Sequence, residues 1–546
     1  MHVYTFIYIY ICYKLKQASI ENKNRGDMHK DNEAGSNPVH GSNYLIVRPH
    51  RGGFRDLFRY GVRDDETSKE KFLERPENGG WSTMTIDEEA EDHRLVIVVS
   101  ILVRKIIRLL RTPMEYTGFV IDFFLNLFSA NGGFFGLLLR LIQAKVVIPK
   151  RGSVTFVSTI GQLDERIGLY KEWNFVEHLE GIDSVSSGSS GNAKIELGSR
   201  GLMDLCVMAS KLAYENAKVV ENVVDLYWKM NLVEFLDCWN DYQKQLSTQV
   251  FILTDKEKDA NLIVISFRGT EPFDADDWGT DFDYSWYEIP NVGKLHMGFL
   301  EAMGLGNRDD TPTFHYHLFE QTSSEEENNE KKLLDMVERS AYYAVRIILK
   351  RLLSEHENAQ FVVTGHSLGG ALAILFPTLL VLKEETEIMK RLLGVYTFGQ
   401  PRIGNREVGL FMKAKLNQPV DRYFRVVYCN DLVPRLPYDD KTFLYKHFGL
   451  CIYYDSFYNE TKAEDEPDPN PYGFRYEIVG HVIAVWELVR GLTMGYTHGP
   501  DYKEGWFRIL FRLMGLLVPG LSDHCPTDYV NSVRLGSDNA LQISPL

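Results

Sequence analysis

The chain lacks the features of a stapled secreted scaffold, a metalloprotein or a nucleic-acid binder. Its six cysteines, Cys12, Cys206, Cys238, Cys429, Cys451 and Cys525, stand far apart with no Cys-x-x-Cys pair. That spacing indicates neither a disulfide framework nor a zinc site and fits a reducing, cytosol-facing compartment. There is no His-Glu-x-x-His, no Gly-x-x-x-x-Gly-Lys and no Gly-x-Gly-x-x-Gly opening a βαβ unit, so no metal or cofactor is expected. Positive charge is scarce: the net charge is −15, whereas nucleic acid demands a positive field. A bilayer span needs about 20 apolar residues. Phe123 to Leu139 is uncharged for only 17, with Asn131-Gly132-Gly133 in its middle.

What is present is apolar sequence, 44% of 546 residues, enough for a large core. Val3 to Tyr13 is apolar, but Lys14 and Lys16 follow the run instead of preceding it, and no small-residue cleavage site appears. A secretory signal is therefore not expected; Met28 would serve equally as a start, and the first residues read as an unstructured tail. Residues 1–91 form a polar, loosely ordered leader with short apolar islands such as Tyr44 to Val47. Residues 92–150 differ in kind. Between Arg94 and Arg151 nine Lys/Arg face only Glu115 and Asp122, a net of +7 that leaves −22 elsewhere. Arg104, Arg108 and Arg111 share one helical face and Leu102, Ile106 and Leu109 another, up to Pro113, which is predicted to end the helix. Grease with positive charge is the composition of an interfacial anchor, bent at the Asn-Gly-Gly. An oil droplet, with one phospholipid layer over neutral oil, suits it. A pair of buried core helices is the competing reading, and the three arginines count against it.

Residues 151–546 are predicted to form one α/β domain with a mostly parallel sheet. Asp183 to Asn192 reads as a Ser/Gly-rich surface loop and Leu262 to Phe267 as a buried strand. The acidic stretch Arg308 to Glu330 reads as an exposed insertion. A helix follows on Leu334, Val337, Ala341, Val345, Ile348 and Leu352, then a short strand, Phe361 to Val363. Gly365-His366-Ser367-Leu368-Gly369 comes next, ahead of the helix-like Ala371 to Leu382. In that context Gly-x-Ser-x-Gly is a nucleophile elbow, in which a sharp turn lifts the Ser367 hydroxyl and Gly365 and Gly369 leave room for strand and helix. The plain alternative is an ordinary strand-to-helix glycine turn.

An alcohol needs a histidine to take its proton and an acid to hold that histidine, in the chain order serine, acid, histidine for this fold. Asp431 follows the strand Phe424 to Tyr428 in a loop stiffened by Pro434 and Pro437. Asp421 precedes the strand, and Asp439 and Asp440 lie well past it. His447, His481, His498 and His524 all remain C-terminal to Asp431, and pattern alone does not choose among them. His481 sits in an apolar, strand-like run, Ile478 to Val485; His524 lies in a terminal loop, where the base belongs. Two donors must meet the oxyanion: the Leu368 amide and one from a loop after an early strand. Thr270, in Phe267-Arg268-Gly269-Thr270, would supply the second, although a plain turn is the simpler reading of those four residues alone.

Five segments in this order resemble class III lipases: Phe267 to Thr270, His296-Met297-Gly298-Phe299, Thr364 to Gly370, Thr397 to Asn405 (TFGQPRIGN) and Asn430 to Pro434. The similarity runs from about Leu202 to Val530 and implies the α/β-hydrolase fold. It also implies Ser367, Asp431 and His524 as the catalytic set, His524 to Tyr529 approximating the family's His-x-x-x-Tyr with a small departure in spacing. Thr270 to Tyr287 and the greasy segment are similar to plant oil-body lipases, which implies triacylglycerol as substrate, a lipid-droplet or membrane surface as partner and location, and Glu271 to Pro290 as a lid. Competing functions are a phospholipase or galactolipase with the same catalytic set, and a lipase-like scaffold without activity.

Overall fold

The computed structural model describes residues 43–63, 65–76, 93–164, 196–319, 340–416, 420–437, 444–467 and 474–536. Leu262–Phe267 buries all six side chains, as a strand covered on both faces must. Because side chains alternate along a strand, Ile263 and Ile265 enter one core while Leu262 and Val264 enter another.

In chain order the strands are β1 (Tyr44–Val47), β2 (Leu73–Glu74), β3 (Asn231–Asn240), β4 (Gln245–Thr254), β5 (Leu262–Phe267), β6 (Trp286–Ile289), β7 (Gly293–His296), β8 (Gln360–His366), β9 (Leu392–Phe398), β10 (Tyr423–Tyr428), β11 (Leu450–Tyr454) and β12 (Glu460–Ala463). The main sheet has the order β12-β11-β10-β9-β8-β5-β4-β3. Its centre, β5 to β11, is parallel and both edges are antiparallel. This is the α/β-hydrolase fold.

The helices used below are α1 (Phe54–Arg63), α2 (Glu66–Phe72), α3 (Arg94–Ala130), α4 (Gly133–Ile142), α5 (Thr159–Leu163), α6 (Arg200–Leu212), α7 (Ala275–Asp281), α8 (Ala341–Glu355), α9 (Leu368–Leu382), α10 (Phe474–Thr497), α11 (Trp506–Gly515) and α12 (Pro526–Leu535). Helices α8 and α9 pack on one face of the main sheet, α6 and α12 on the other. The carboxyl ends of β5, β8 and β10 share one sheet edge, where α/β folds carry their ligands.

Several sequence expectations are revised. Residues 43–74, read as loose leader, form β1, α1, α2 and β2, and β1 pairs with β6 in a second, antiparallel sheet of order β2-β1-β6-β7. The expected break at residue 151 therefore does not separate this segment from the hydrolase core. Pro113 lies inside α3 and does not end it; contacts on both sides of it, Arg111 to Asp276 and Gly118 against Phe273, hold the two halves in line. The basic face is divided: Arg104 turns inward and pairs with buried Asp283 at 2.6 Å, whereas Arg108 and Arg111 stay exposed, Arg111 lying 2.9 Å from Asp276; neighbouring Lys105 reaches the Gly52 carbonyl. Leu109 points outward. Arg308, placed in an exposed insertion, is buried between Glu301 and Asp283. His481 lies on helix α10, not on a strand. The Asp183 to Asn192 patch, the acidic residues 320–330, Asp439 and Asp440 fall outside the described residues.

Candidate active site

Ser367 is the pivot between β8 and α9, with φ 59° and ψ −133°, a backbone region that a non-glycine residue occupies only under constraint. Three local features impose it. The Ser367 amide donates to the Phe398 carbonyl on β9 at 2.9 Å. A Cβ on Gly365 would stand 2.1 Å from the Gly369 carbonyl oxygen, and one on Gly369 would stand 2.2 Å from that of Phe267. The glycines either side of the serine are thus required by close backbone approach.

The serine Oγ lies 2.8 Å from His524 Nε2, and His524 Nδ1 lies 2.8 Å from Asp431 Oδ2. A carboxylate only accepts, so Nδ1 carries the ring proton and Nε2 presents a lone pair to the serine hydroxyl. Asp431 is fully buried and fixed from several sides. Its Oδ1 accepts from the Val433 amide at 2.9 Å, its Oδ2 accepts from the Tyr529 hydroxyl, and Arg435 donates to its carbonyl oxygen. Of the rival residues, Asp421 precedes β10, at the other end of that strand, and His447 is spent on the Pro434 carbonyl at 2.6 Å. His498 is bonded to Thr497 and His481 is exposed on α10.

His366 contributes through its ring, which the glycine pattern alone did not reveal. Its Nε2 stands 2.9 Å from the His524 carbonyl oxygen and its Nδ1 2.8 Å from the Tyr214 hydroxyl. Burial, reinforced by the neighbouring His524, holds His366 well below the usual imidazole range, so the ring is neutral. The proton then sits on Nε2, donated to the His524 carbonyl, and Tyr214 donates to Nδ1. Gly399, φ 60°, closes the opposite side: a Cβ there would stand 2.9 Å from Asp431 Oδ2 and 3.0 Å from His524 Cε1. The sequence signal for Gly399 was its place in TFGQPRIGN. That for Tyr529 was its interval from His524.

The loop after β5 approaches Ser367 closely, since a Cβ on Gly269 would stand 3.0 Å from the Ser367 Cβ. Among the described residues, neither the Thr270 nor the Leu368 amide donates to a protein acceptor, which leaves both for a developing oxyanion. Thr270 Oγ1 donates to Asp281 Oδ2 at 3.0 Å, so α7 braces this loop. Helix α7 is itself pinned to α3, through Arg111 and Asp276 and through Phe273 against Gly118. Ser367 is 2% exposed, so the site is closed in this conformation. A cavity of about 850 Å³ is lined by Gln360, Leu392 and Arg422 at the amino ends of the strands, away from Ser367.

Burial pushes the Asp281 carboxyl up to about 7 from 3.8, with Thr270 and His524 pulling the other way. Between these values the folded chain holds a proton that the unfolded chain releases, so this group increasingly disfavours folding as pH rises through the window. Asp281→Asn is expected to remove that dependence. Its thermal midpoint should exceed wild type by the equivalent of a few kcal/mol at pH 8, with the gap closing by pH 4. Melting curves across pH check this, and a gap independent of pH contradicts it.

Among the described residues the cluster best placed to hold a metal is Cys429, Glu487 and Asp523, whose ligand atoms lie within 4.8 Å of one another. Burial raises both the Cys429 thiol and the Asp523 carboxyl. Asp523 accepts from the Asn430 amide at 3.0 Å and Glu487 from the Tyr428 hydroxyl at 2.5 Å. These groups are protonated or already satisfied, and they tie the Asp431 loop to the His524 turn.

A buried serine–imidazole–carboxylate chain beside two unspent amides is built for acyl transfer, and on this sheet it defines a serine hydrolase of the α/β-hydrolase fold. Residues 264–441 match the family lipase (class 3). The chain is 89% identical over 521 residues to triacylglycerol lipase OBL1 of Arabidopsis thaliana, covering 95% of this chain and 100% of that one. It is 53% identical over 556 residues to triacylglycerol lipase OBL1 of Nicotiana tabacum, covering 92% and 96% respectively. A solved Rhizomucor miehei lipase in a propeptide complex is 21% identical with a TM-score of 0.32, covering 46% of this chain and 67% of that one. The chain belongs to the class 3 lipase family.

Proposed function

We propose that this chain hydrolyses triacylglycerol at the surface of a lipid droplet. Ser367 Oγ attacks the ester carbonyl while His524 Nε2 takes its proton. The oxyanion is met by the amides of Leu368 and Thr270, and His524 then protonates the departing alcohol. Asp431 stays ionised and keeps the imidazole in its tautomer. Water repeats the sequence and frees the fatty acid. The substrate follows from the names of the relatives, which cover nearly the whole chain.

The observation that carries the surface reading is helix α4, Gly133–Ile142. Its ten residues, GFFGLLLRLI, include a single charge and none is buried by protein. Phe135 and Ile142 are each 83% exposed. Gly132, φ 80°, makes the bend into it, and Asn131 clamps the returning chain by bonding both the amide and the carbonyl of Val147. Such a hairpin tip supports a monotopic element resting in a monolayer over oil.

The full chain and the variant Phe135→Asp/Leu139→Asp/Ile142→Asp should be compared by flotation with triolein droplets coated in phosphatidylcholine. The variant is expected to lose droplet binding by about tenfold or more while hydrolysing a soluble short-chain ester normally. Undiminished flotation would overturn the surface assignment. Triolein and phosphatidylcholine offered side by side to wild type test the substrate, and preferential cleavage of the phospholipid would refute it.

A further inference from the structure

Two adjacent helices between β12 and His524 are inside out. From Ile478 to Thr497 the only charged residues of α10 are Glu487 and Arg490, and both are buried. Ile478, Val482, Val485, Val489, Leu492 and Tyr496 form an exposed stripe, Tyr496 at 94%. Helix α11 repeats the pattern: Arg508 and Arg512 are buried, whereas Trp506, Leu510 and Leu513 are exposed, Trp506 at 60%, as is Leu517 just beyond it. A helix facing water places its charges outward; these two place them inward.

The inward charges are matched. Arg508 pairs with Asp528, Arg512 pairs with Asp528 at 2.9 Å and with Glu504, and Arg490 lies 3.6 Å from Glu487. Arg508 also donates to the Ser522 carbonyl at 3.2 Å, in the turn that ends at His524. The helix pair is therefore fastened to α12 by buried ion pairs and to the turn bearing His524 by a hydrogen bond, and its outer face is apolar.

We infer that the exposed face of α10 and α11 is a second lipid-contacting surface, one that rests in the apolar phase beside the active site. Three observations commit it to lipid. No charged side chain is exposed on α10 between Ile478 and Thr497 or on α11, whereas a protein partner in water is met by a polar rim and a coiled-coil partner by flanking charges. The chain leads from α11 through exposed Leu517 into the turn bearing His524, whose proposed substrate is insoluble in water. The face is also joined to the α3–α4 anchor, because Phe507 and Phe511 of α11 pack on Ile160 and Leu163 of α5, and Asn126 of α3 bonds the adjoining Val157 at 2.8 Å. The stretch Ile478–Thr497 is long and apolar enough to cross a membrane, but Glu487 and Arg490 near its middle hold it flat against the protein.

The inference rests on the triacylglycerol reading, and its test separates the two. Full-length protein carrying Val485→Glu/Val489→Glu/Leu513→Glu, with α4 intact, is compared with wild type on a triolein emulsion and on p-nitrophenyl butyrate below its solubility limit. The expected result is a loss of about tenfold or more on triolein, with the soluble ester cleaved within about twofold of wild type. In parallel, droplets of brominated triacylglycerol should quench wild-type tryptophan emission, and Trp486→Phe/Trp506→Phe should abolish most of that quenching. An unchanged triolein rate, an equal fall on both substrates, or a wild-type dimer in lipid-free solution that the glutamates dissociate would each overturn the lipid surface. Wild type inert on triolein but quenched by the droplets would refute the substrate reading and leave this one standing.

Discussion

Ser367→Ala is expected to lower the turnover of every ester tested by about 10⁴- to 10⁶-fold. Among the described residues no other hydroxyl is hydrogen-bonded to His524 Nε2, which lies 2.8 Å from Ser367 Oγ. The residual rate should come from what the substitution leaves in place, namely the two free amides and the His524–Asp431 pair, acting on water. Folding should be nearly unaffected, because alanine keeps the Cβ and the turn is imposed by Gly365, Gly369 and the bond from the residue 367 amide to Phe398. Fatty-acid release from triolein and labelling by a serine-reactive fluorophosphonate measure the effect. Activity within tenfold of wild type, or labelling of the variant at another serine, would remove Ser367 from the mechanism.

Arg104→Ala should produce the largest loss of stability, about 3–5 kcal/mol, a large share of the 5–15 kcal/mol typical of whole domains. Arg104 and Arg308 face Asp283 at 2.6 and 2.5 Å, and Arg308 also pairs with Glu301 at 2.5 Å. Two cations thus balance two anions, with Asp283, Glu301 and Arg308 all nearly inaccessible to water. Burial alone would raise the Asp283 carboxyl, but Arg104 and Arg308 overcome it and hold the group well below the usual carboxylate range. Without Arg104 the remaining three carry an uncompensated negative charge, and β1 also loses the bond from Arg104 to the Val47 carbonyl. Urea unfolding monitored by tryptophan fluorescence measures the change; a loss under 1 kcal/mol would show that the cluster is indifferent to its fourth member. A chain cut at residue 151 loses both Arg104 and β1, so it is expected to aggregate instead of yielding a working hydrolase.

The sequence was most informative where the determinants are local. Leu262–Phe267 reads as a buried strand because five of its six residues are apolar and polar residues bound it, and it is a strand over those same residues. The elbow is legible because each glycine answers a steric demand from its immediate neighbours. The orientation of helices was not legible. Arg104 finds Asp283 from 179 residues away, and a basic stripe has the same period whether it faces phospholipid or a buried carboxylate. The same limit hid α10: Ile478 to Val485 is too short an apolar run to separate strand from helix, and periodicity alone does not say which face meets the protein. The supports of the candidate site were hidden for a related reason. Tyr529, Tyr214 and Gly399 act through contacts made only once β8, β9, β10 and α12 are assembled.

Helix α3 joins three things that are chemically unrelated: the ion pair at Asp283, the pins to α7, and the greasy tip at α4. Over 37 residues it is a rod of about 55 Å, and Pro113 deprives it of one backbone bond between the two pins, Arg111 to Asp276 and Gly118 to Phe273. Its weakest joint therefore falls opposite the segment that braces Thr270. If α4 settles into oil as proposed, a tilt imposed on the far end would be delivered at that joint, which would couple mooring to unlatching of the site.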